Sequence, residues 1–319
     1  MRVEFERREI SRYPPLMPLA SDAAHRALIQ ALADSIESDP WSLPPADAPQ
    51  SDALAGILAR LRNSLFPRAT APTPRGHGPI ERFLAANLAS IRTDLQRDIA
   101  TAFACVRSSL SGGGNPAERA EASVEALLAE LPAIRRILVV DAQAAFDGDP
   151  AARSVDEVLL CYPGFFALLV HRVAHKLHLL GVPLVPRMMS EYAHATTGID
   201  IHPGATIGQG FFIDHGTGVT IGETTEIGDF CKVYQCVTLG AKSFERDENG
   251  ALRKGYKRHP TLEDHVTVYA GATILGGDTR IGKGSVIASG VFVTQSVPPH
   301  HLVAPPRAEL RVLEQRAGI

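Results

Sequence analysis

Aromatic side chains are scarce: they make up 6% of the 319 residues, and Trp41 is the sole tryptophan. Large rings dominate the interior of most compact sandwiches, so a core of small aliphatic groups points instead to a repetitive architecture. Cysteine is equally thin. Cys105, Cys161, Cys231 and Cys236 show no framework spacing, and the Cys231/Cys236 interval is not the CxxC of a redox or zinc site, which predicts free thiols in a reducing compartment. A surplus of either charge is missing too, with 32 Lys and Arg against 35 Asp and Glu. That balance argues against a nucleic acid or a membrane surface held by bulk charge. No stretch reaches the roughly 18 apolar residues of a membrane span, and the opening MRVEFERREISRY carries charges where a signal peptide needs an apolar core. The expectation is a cytoplasmic protein, long enough for two domains.

Proline is plentiful at the start. Residues 1–76 mix short helical stretches (about 22–36 and 51–64) with DPWSLPPADAPQ and FPRATAPTPRGHGP, which read as an extension with linkers and carry no assignable function. From residue 77 apolar residues take helical spacing: Phe83, Leu84, Leu88, Ile91, Leu95, Ile99 and Phe103, ended by GGGNP. Further helical stretches cover 117–130, 132–146 and 154–180, the last closed by Gly181 and Pro183, so 77–197 reads as an all-α domain.

After Gly198 an aliphatic residue recurs every six positions: Ile201, Ile207, Ile213, then Ile221, Ile227, Val233, Leu239, then Leu262, Val268, Ile274, and last Ile281, Ile287, Val293. Neither a helix nor an ordinary strand has that period; it predicts a parallel β-helix of hexapeptide repeats over 198–304, followed by a tail, 305–319. Three six-residue sides make a triangular coil with the aliphatic groups inside, and Gly, Asn or Asp at the corners. A sandwich would show alternation at period two, which is absent. The fold class expected is α+β, a helical domain followed by a left-handed parallel β-helix.

The repeat slips in three places. Eight residues separate Ile213 from Ile221, with the surplus in DHGTG; 23 separate Leu239 from Leu262, ejecting a basic loop over 240–261; seven separate Ile274 from Ile281, a bulge at Gly276 and Gly277. A surface His at one slip and a long loop at the next mark a candidate active site.

The run GIDIHPGATIGQGFFIDHGTGVTIGETTEIG, with VTLGAK, RHP and VPPH, resembles serine O-acetyltransferase, which acetylates L-serine with acetyl-CoA on the way to cysteine. The likeness is strong from about Asp149 to His300, and YPGFFALLVHRVAHKL resembles that family's last N-terminal helices. A serine hydroxyl is a poor nucleophile at neutral pH, so a general base near pH 7 is needed, and His215 is the candidate. The resemblance gives Asp200 the role of holding the imidazole; the two are a little under one coil apart, so they can meet on adjacent coils. The tetrahedral intermediate needs donors, from backbone N–H groups or His259. By resemblance Arg258 and His259 meet the serine carboxylate and hydroxyl, Asp149 and Asp214 its ammonium, and Arg suits a carboxylate through its bidentate fork. Coenzyme A is expected in a groove between neighbouring β-helices, reached by Gly240, Ala241 and Ala270, with Lys242 near a phosphate. No metal is expected.

Other polar residues read as structural: His202 as a hydrogen-bonding residue at a coil corner, His171, His175 and His178 as a helix face or interface in preference to a zinc site that would lack a carboxylate or Cys partner, Glu223 as a turn residue that is solvated or else approaches the substrate, and Cys231 and Cys236 as small hydrophobes or interface residues. The sequence departs from the commonest bacterial form in its longer 240–261 loop and in VAPPRAEL after VPPH. The resemblance implies a trimer or a dimer of trimers, inhibition by cysteine at the serine site, and contact of the terminal Ile319 with cysteine synthase. Three rivals are a hexapeptide acyltransferase for another acceptor such as an amino sugar, a zinc carbonic anhydrase of β-helix form, and a non-catalytic scaffold. The second lacks the HxxxxH pair it needs in the coils, and the third fits poorly with DHGTG and RHP.

Overall fold

The computed structural model describes residues 23–37, 49, 51–71, 76–106 and 114–306. The chain divides into two units, 1–46 and 47–319. Of the first, the described part is helix α1 (Ala23–Glu37). The second begins with seven further helices: α2 (Ser51–Leu65), α3 (Pro67–Thr70), α4 (His77–Cys105), α5 (Pro116–Gly148), α6 (Val155–Cys161), α7 (Pro163–Leu179) and α8 (Val185–Thr197). Among the described residues no single helix is long and apolar enough to cross a membrane.

One face of α2 carries Leu54, Ile57, Leu58, Leu61 and Leu65, spaced by three and four so that all five point the same way. All are buried in the same core as Ile91, Leu95 and Ile99 of α4 and Leu127, Leu131 and Leu138 of α5. The helical core therefore starts at α2, within the segment that the prolines mark as an extension.

Two prolines act in opposite ways. Pro132 lies inside α5, which the sequence divides at that point, yet the helix runs unbroken from Asn115, whose Oδ1 accepts the Ala117 N–H at 3.0 Å. Pro132 removes one helical hydrogen bond. Burial of Val124, Leu127 and Leu131 before it, and of Ile134, Leu138 and Ala142 after it, holds both halves in line. Pro163, by contrast, splits the expected 154–180 helix. Tyr162 before it takes extended dihedrals, as a residue preceding proline prefers, and α6 and α7 meet at 74°.

The rest is short strands: β1 (Asp200–Ile201), β2 (Thr206–Ile207), β3 (Phe212–Ile213), β4 (Thr220–Ile221), β5 (Glu226–Ile227), β6 (Lys232–Val233), β7 (Thr238–Gly240), β8 (Thr261–Leu262), β9 (Thr267–Val268), β10 (Thr273–Leu275), β11 (Arg280–Ile281), β12 (Val286–Ile287), β13 (Phe292–Val293) and β14 (Leu302–Val303). They form three parallel sheets, β1-β4-β7-β10-β13, β2-β5-β8-β11 and β3-β6-β9-β12-β14, so the chain visits each sheet once per circuit. Every aliphatic residue of the six-residue series stands second in its strand and is buried; the residues two positions earlier, such as Ala205, Phe211, Cys231 and Ala272, fill the space between. The register steps from Thr220 to Thr238 on one circuit and from Thr238 to Thr273 on the next, the loop between Gly240 and Thr261 taking up the difference.

The first circuit has no coil below it and rests on helices. Ala167 and Leu168 of α7 enter the coil core, and Gly164 lies so close that a Cβ there would stand 2.3 Å from the Ile213 carbonyl oxygen. Arg172 completes the junction. Its guanidinium pairs with the buried Asp141 carboxylate at 2.6 and 2.9 Å and donates to the Ile207 and Gly208 carbonyls at 3.1 and 2.7 Å. Asp141 also accepts the Phe211 N–H at 3.1 Å, so the pair leaves no charge unmatched, which a buried ion pair requires.

Corners of the coil use left-handed backbone. Gly210, Gly218, Gly271, Gly284 and Gly290 take it, as expected, but so do Phe230, Cys236, His265 and His300. On one edge Gly210 leaves room for the ring of Phe230, which stacks on His265 with centroids 5.5 Å apart.

Candidate active site

The eight-residue slip after β3 folds as a bulged corner in which His215 (φ 59°), Gly216 (φ 88°) and Gly218 (φ 77°) are all left-handed. Gly216 is required there: a Cβ would stand 2.4 Å from the Ile199 side chain. The turn throws the His215 imidazole outward. Its side chain is 74% exposed, and Nε2 lies 3.9 Å from the Asp214 carboxylate.

Around Asp214 the chain gathers a second carboxylate. Asp149 caps the C-terminus of α5, where its Oδ1 accepts the Ala151 N–H at 2.8 Å and its Oδ2 the Tyr162 hydroxyl at 2.5 Å. These bonds, the tyrosine's first, hold its pKa below the usual carboxylate value, with Lys232 and His215 adding to the effect. Lys232 on β6 reaches both neighbours, donating to the Gly148 carbonyl at 2.8 Å and pairing with Asp214 at 3.2 Å. Neither Tyr162 nor Lys232 is marked by the sequence, because one reads as a helix residue and the other as the outward residue of a strand.

Arg258 and His259 lie on another edge, where the long loop returns to the coil just before β8. Thr224 organises them: its Oγ1 accepts the N–H groups of Arg258 and His259 at 2.9 and 3.1 Å. The Arg258 guanidinium pairs with Glu223, so Glu223 is a clamp on this arginine rather than a solvated turn residue. Burial alone would raise the Glu223 pKa, but Arg258 outweighs it and the net shift is downward. His259 is 8% exposed, and its Nδ1 faces the Thr224 N–H at 3.1 Å and hydroxyl at 2.9 Å. An Nδ1 met by an N–H is an acceptor, which leaves the proton on Nε2. Burial, then Arg258, push the His259 pKa down to about 4, so the ring is a neutral donor at neutral pH. Gly222 makes room for it: a Cβ there would stand 2.1 Å from the ring.

Asp200 opens β1 one circuit below the His215 corner, its N–H donating to the Val219 carbonyl at 2.9 Å. Its carboxylate clusters with Glu191 and His194 of α8, the three nearest donor atoms lying within 4.8 Å of one another. Among the described residues no hydrogen bond or ion pair joins it to His215. His202 accepts the Gly204 N–H at 3.0 Å, the corner role expected of it. His171, His175 and His178 line the junction between α7 and the first circuit, with His171 buried, His175 bonded to the Pro203 carbonyl at 2.7 Å and His178 edge-on to His202. Gly240 ends β7 and accepts the Gly276 N–H at 3.1 Å, and the Ala270 carbonyl accepts the Gly290 N–H at 3.0 Å. Ala241 leads into the loop. Lys242 shares a polar cleft of about 400 Å³ with Lys257, Arg258 and Asp278.

An exposed imidazole beside a carboxylate pair, with a buried neutral imidazole and a clamped guanidinium on another edge, suits proton removal from an acceptor that carries both a carboxylate and an ammonium. No family model matches the chain. A plasmid-borne serine acetyltransferase of Synechococcus elongatus is 42% identical over 302 residues, covering 93% of this chain and 94% of the relative. The chain belongs to the serine acetyltransferase family. The Bacillus subtilis serine acetyltransferase is 47% identical over 163 residues, 51% of this acetyltransferase and 70% of the relative. Among solved structures, serine acetyltransferase isoform 3 of Entamoeba histolytica, in complex with cysteine, matches with a TM-score of 0.70 at 34% identity, covering 90% of this chain and 93% of that one. This chain is thus an acyltransferase whose likeness to relatives extends over both the helices and the coil.

Proposed function

We propose that the enzyme transfers the acetyl group of acetyl-CoA to the hydroxyl of L-serine, giving O-acetylserine and free coenzyme A, on a left-handed parallel β-helix of hexapeptide repeats. The observation that carries this reading is the His215 corner, an exposed imidazole beside Asp214 with Asp149 and Lys232 at its side. In this reading His215 takes the serine Oγ proton as Oγ attacks the thioester carbonyl, and returns it to the departing thiolate. Asp200 holds the ring in the right tautomer; the exposed imidazole has room to turn toward it. Asp149 and Asp214 receive the serine ammonium, Arg258 its carboxylate, and the His259 Nε2–H the developing oxyanion.

These groups occupy two edges of the coil and the adjoining end of α5, which favours a site completed between copies of the chain, as in a trimer or a dimer of trimers. Gly240, Ala241 and Ala270 then offer backbone groups to the pantetheine arm, and Lys242 a charge to a phosphate. The catalytic unit is 198–304, supported by the helices before it, and no metal takes part. Ile319, the proposed contact with cysteine synthase, lies outside the described residues. Thiol release from acetyl-CoA tests the reading, with L-serine set beside other amino acids and amino sugars. Serine-dependent release that falls roughly 100-fold or more in His215→Ala is expected. Release with another acceptor but not with serine would overturn the substrate, and full activity in the variant would overturn the base.

A further inference from the structure

We infer that Lys232 positions the acceptor's ammonium site, its Nζ joining Asp214 on the coil to the segment of α5 that carries Asp149. This rests on the reading of Asp149 and Asp214 as the ammonium ligands. The two carboxylates come from different parts of the molecule, one at the end of a 33-residue helix and the other at a bulged corner of the coil. Lys232 touches both, through the carbonyl of Gly148, the residue before Asp149, and through Asp214 Oδ2.

The lysine is itself held in place. Its Nζ lies 4.6 Å from the ring centroids of both Phe212 and Tyr234, and its side chain is 20% exposed. A cation set among aromatic faces and gripped by a carbonyl and a carboxylate loses the wandering usual for lysine. Burial alone would make it easier to deprotonate, but Tyr234 and Asp214 outweigh burial, so it stays an ammonium.

The charge balance gives it a second effect. Asp149 and Asp214 together carry two negative charges, and Lys232 leaves one, the charge that a single α-ammonium neutralises. Without the lysine the carboxylates repel each other and the gap between α5 and the corner is free to widen. A residue acting in this way affects capture of the acceptor more than the chemical step.

The test is steady-state kinetics with L-serine varied at saturating acetyl-CoA, for the full chain and for Lys232→Met and Lys232→Arg. In the Met variant the KM for serine is expected to rise about tenfold while kcat stays within about threefold, and Arg to restore most of the loss. An unchanged serine KM in folded Lys232→Met, or kcat falling as steeply as KM rises, overturns the inference. If the Met variant fails to fold, Lys232→Gln, which keeps a donor for the Gly148 carbonyl, decides by the same readout. Asp149→Asn and Asp214→Asn run beside it. Should both leave the serine KM unchanged, the ammonium site itself is wrong; should they raise it while the uncharged Lys232 variants do not, only the role of Lys232 falls.

Discussion

The two imidazoles of the site differ in almost every physical respect. His215 stands on a bulged corner with a side chain 74% exposed, whereas His259 is 8% exposed beneath Gly222. The first has water on most sides and the Asp214 carboxylate for company. The second has its Nδ1 occupied by Thr224 and its pKa pushed down to about 4, so it keeps one proton on one nitrogen throughout. Under the proposed mechanism, burial and one hydrogen bond would fit two copies of one side chain to different tasks, proton carrier and fixed donor.

Replacing each ring by a methyl group should expose that division most strongly. His215→Ala is expected to cost roughly 100-fold or more in kcat with no measurable change in the thermal midpoint, because little is packed against the ring. A fall of several degrees in that midpoint would show that the corner is a structural element instead.

Gly222→Ala attacks the other imidazole without touching its chemistry. The added Cβ would stand 2.1 Å from the His259 ring, so the ring must leave its seat. A loss of about tenfold in kcat, with about 1–3 kcal/mol in stability, is expected from overpacking of this kind. Kinetics and denaturant unfolding on the same variant read both. Smaller still is Thr224→Val, which removes the hydroxyl near Nδ1 and the acceptor for two backbone N–H groups. About 1–2 kcal/mol of stability and a fewfold in kcat should go, with His215 unaffected.

The mildest test changes only pH. His259 and His202 both titrate near 4 in the folded protein, burial being the first cause, against about 6.5 in the unfolded chain. Between those values the unfolded chain binds more protons, so stability falls as pH drops from about 6.5 toward 4 and is level above that window. Thermal melts across pH 4 to 8 should show this slope in the wild type and a shallower one in His259→Gln.

Much of this was legible in the residues. The six-residue series marks every buried second position of the strands, because a narrow interior admits little besides aliphatic groups, and the slip at DHGTG marks the corner that ejects His215. Other features depend on tertiary packing. Nothing local separates Pro132, carried through a helix by six buried neighbours, from Pro163, where a helix breaks. The buried face of α2 is hidden by the prolines flanking it. Lys232 escapes notice because an outward residue on a coil normally meets water; here the end of α5 covers it. Asp200 matched a motif, yet the motif carries no information on Glu191 and His194, which approach from a helix earlier in the chain.

Arg172 and the start of α7 also bear on the order in which the molecule assembles. A solenoid grows by adding each coil to the one before it, and its hardest step is the first, which has nothing to build on. Here the Arg172 guanidinium, with Ala167 and Leu168, presents a finished surface to the Ile207 and Gly208 carbonyls and to the coil interior. Those residues leave the ribosome before the first strand does. The helices thus offer the first circuit, from an earlier stretch of the chain, the packing surface and hydrogen-bond donors that every later circuit receives from its predecessor.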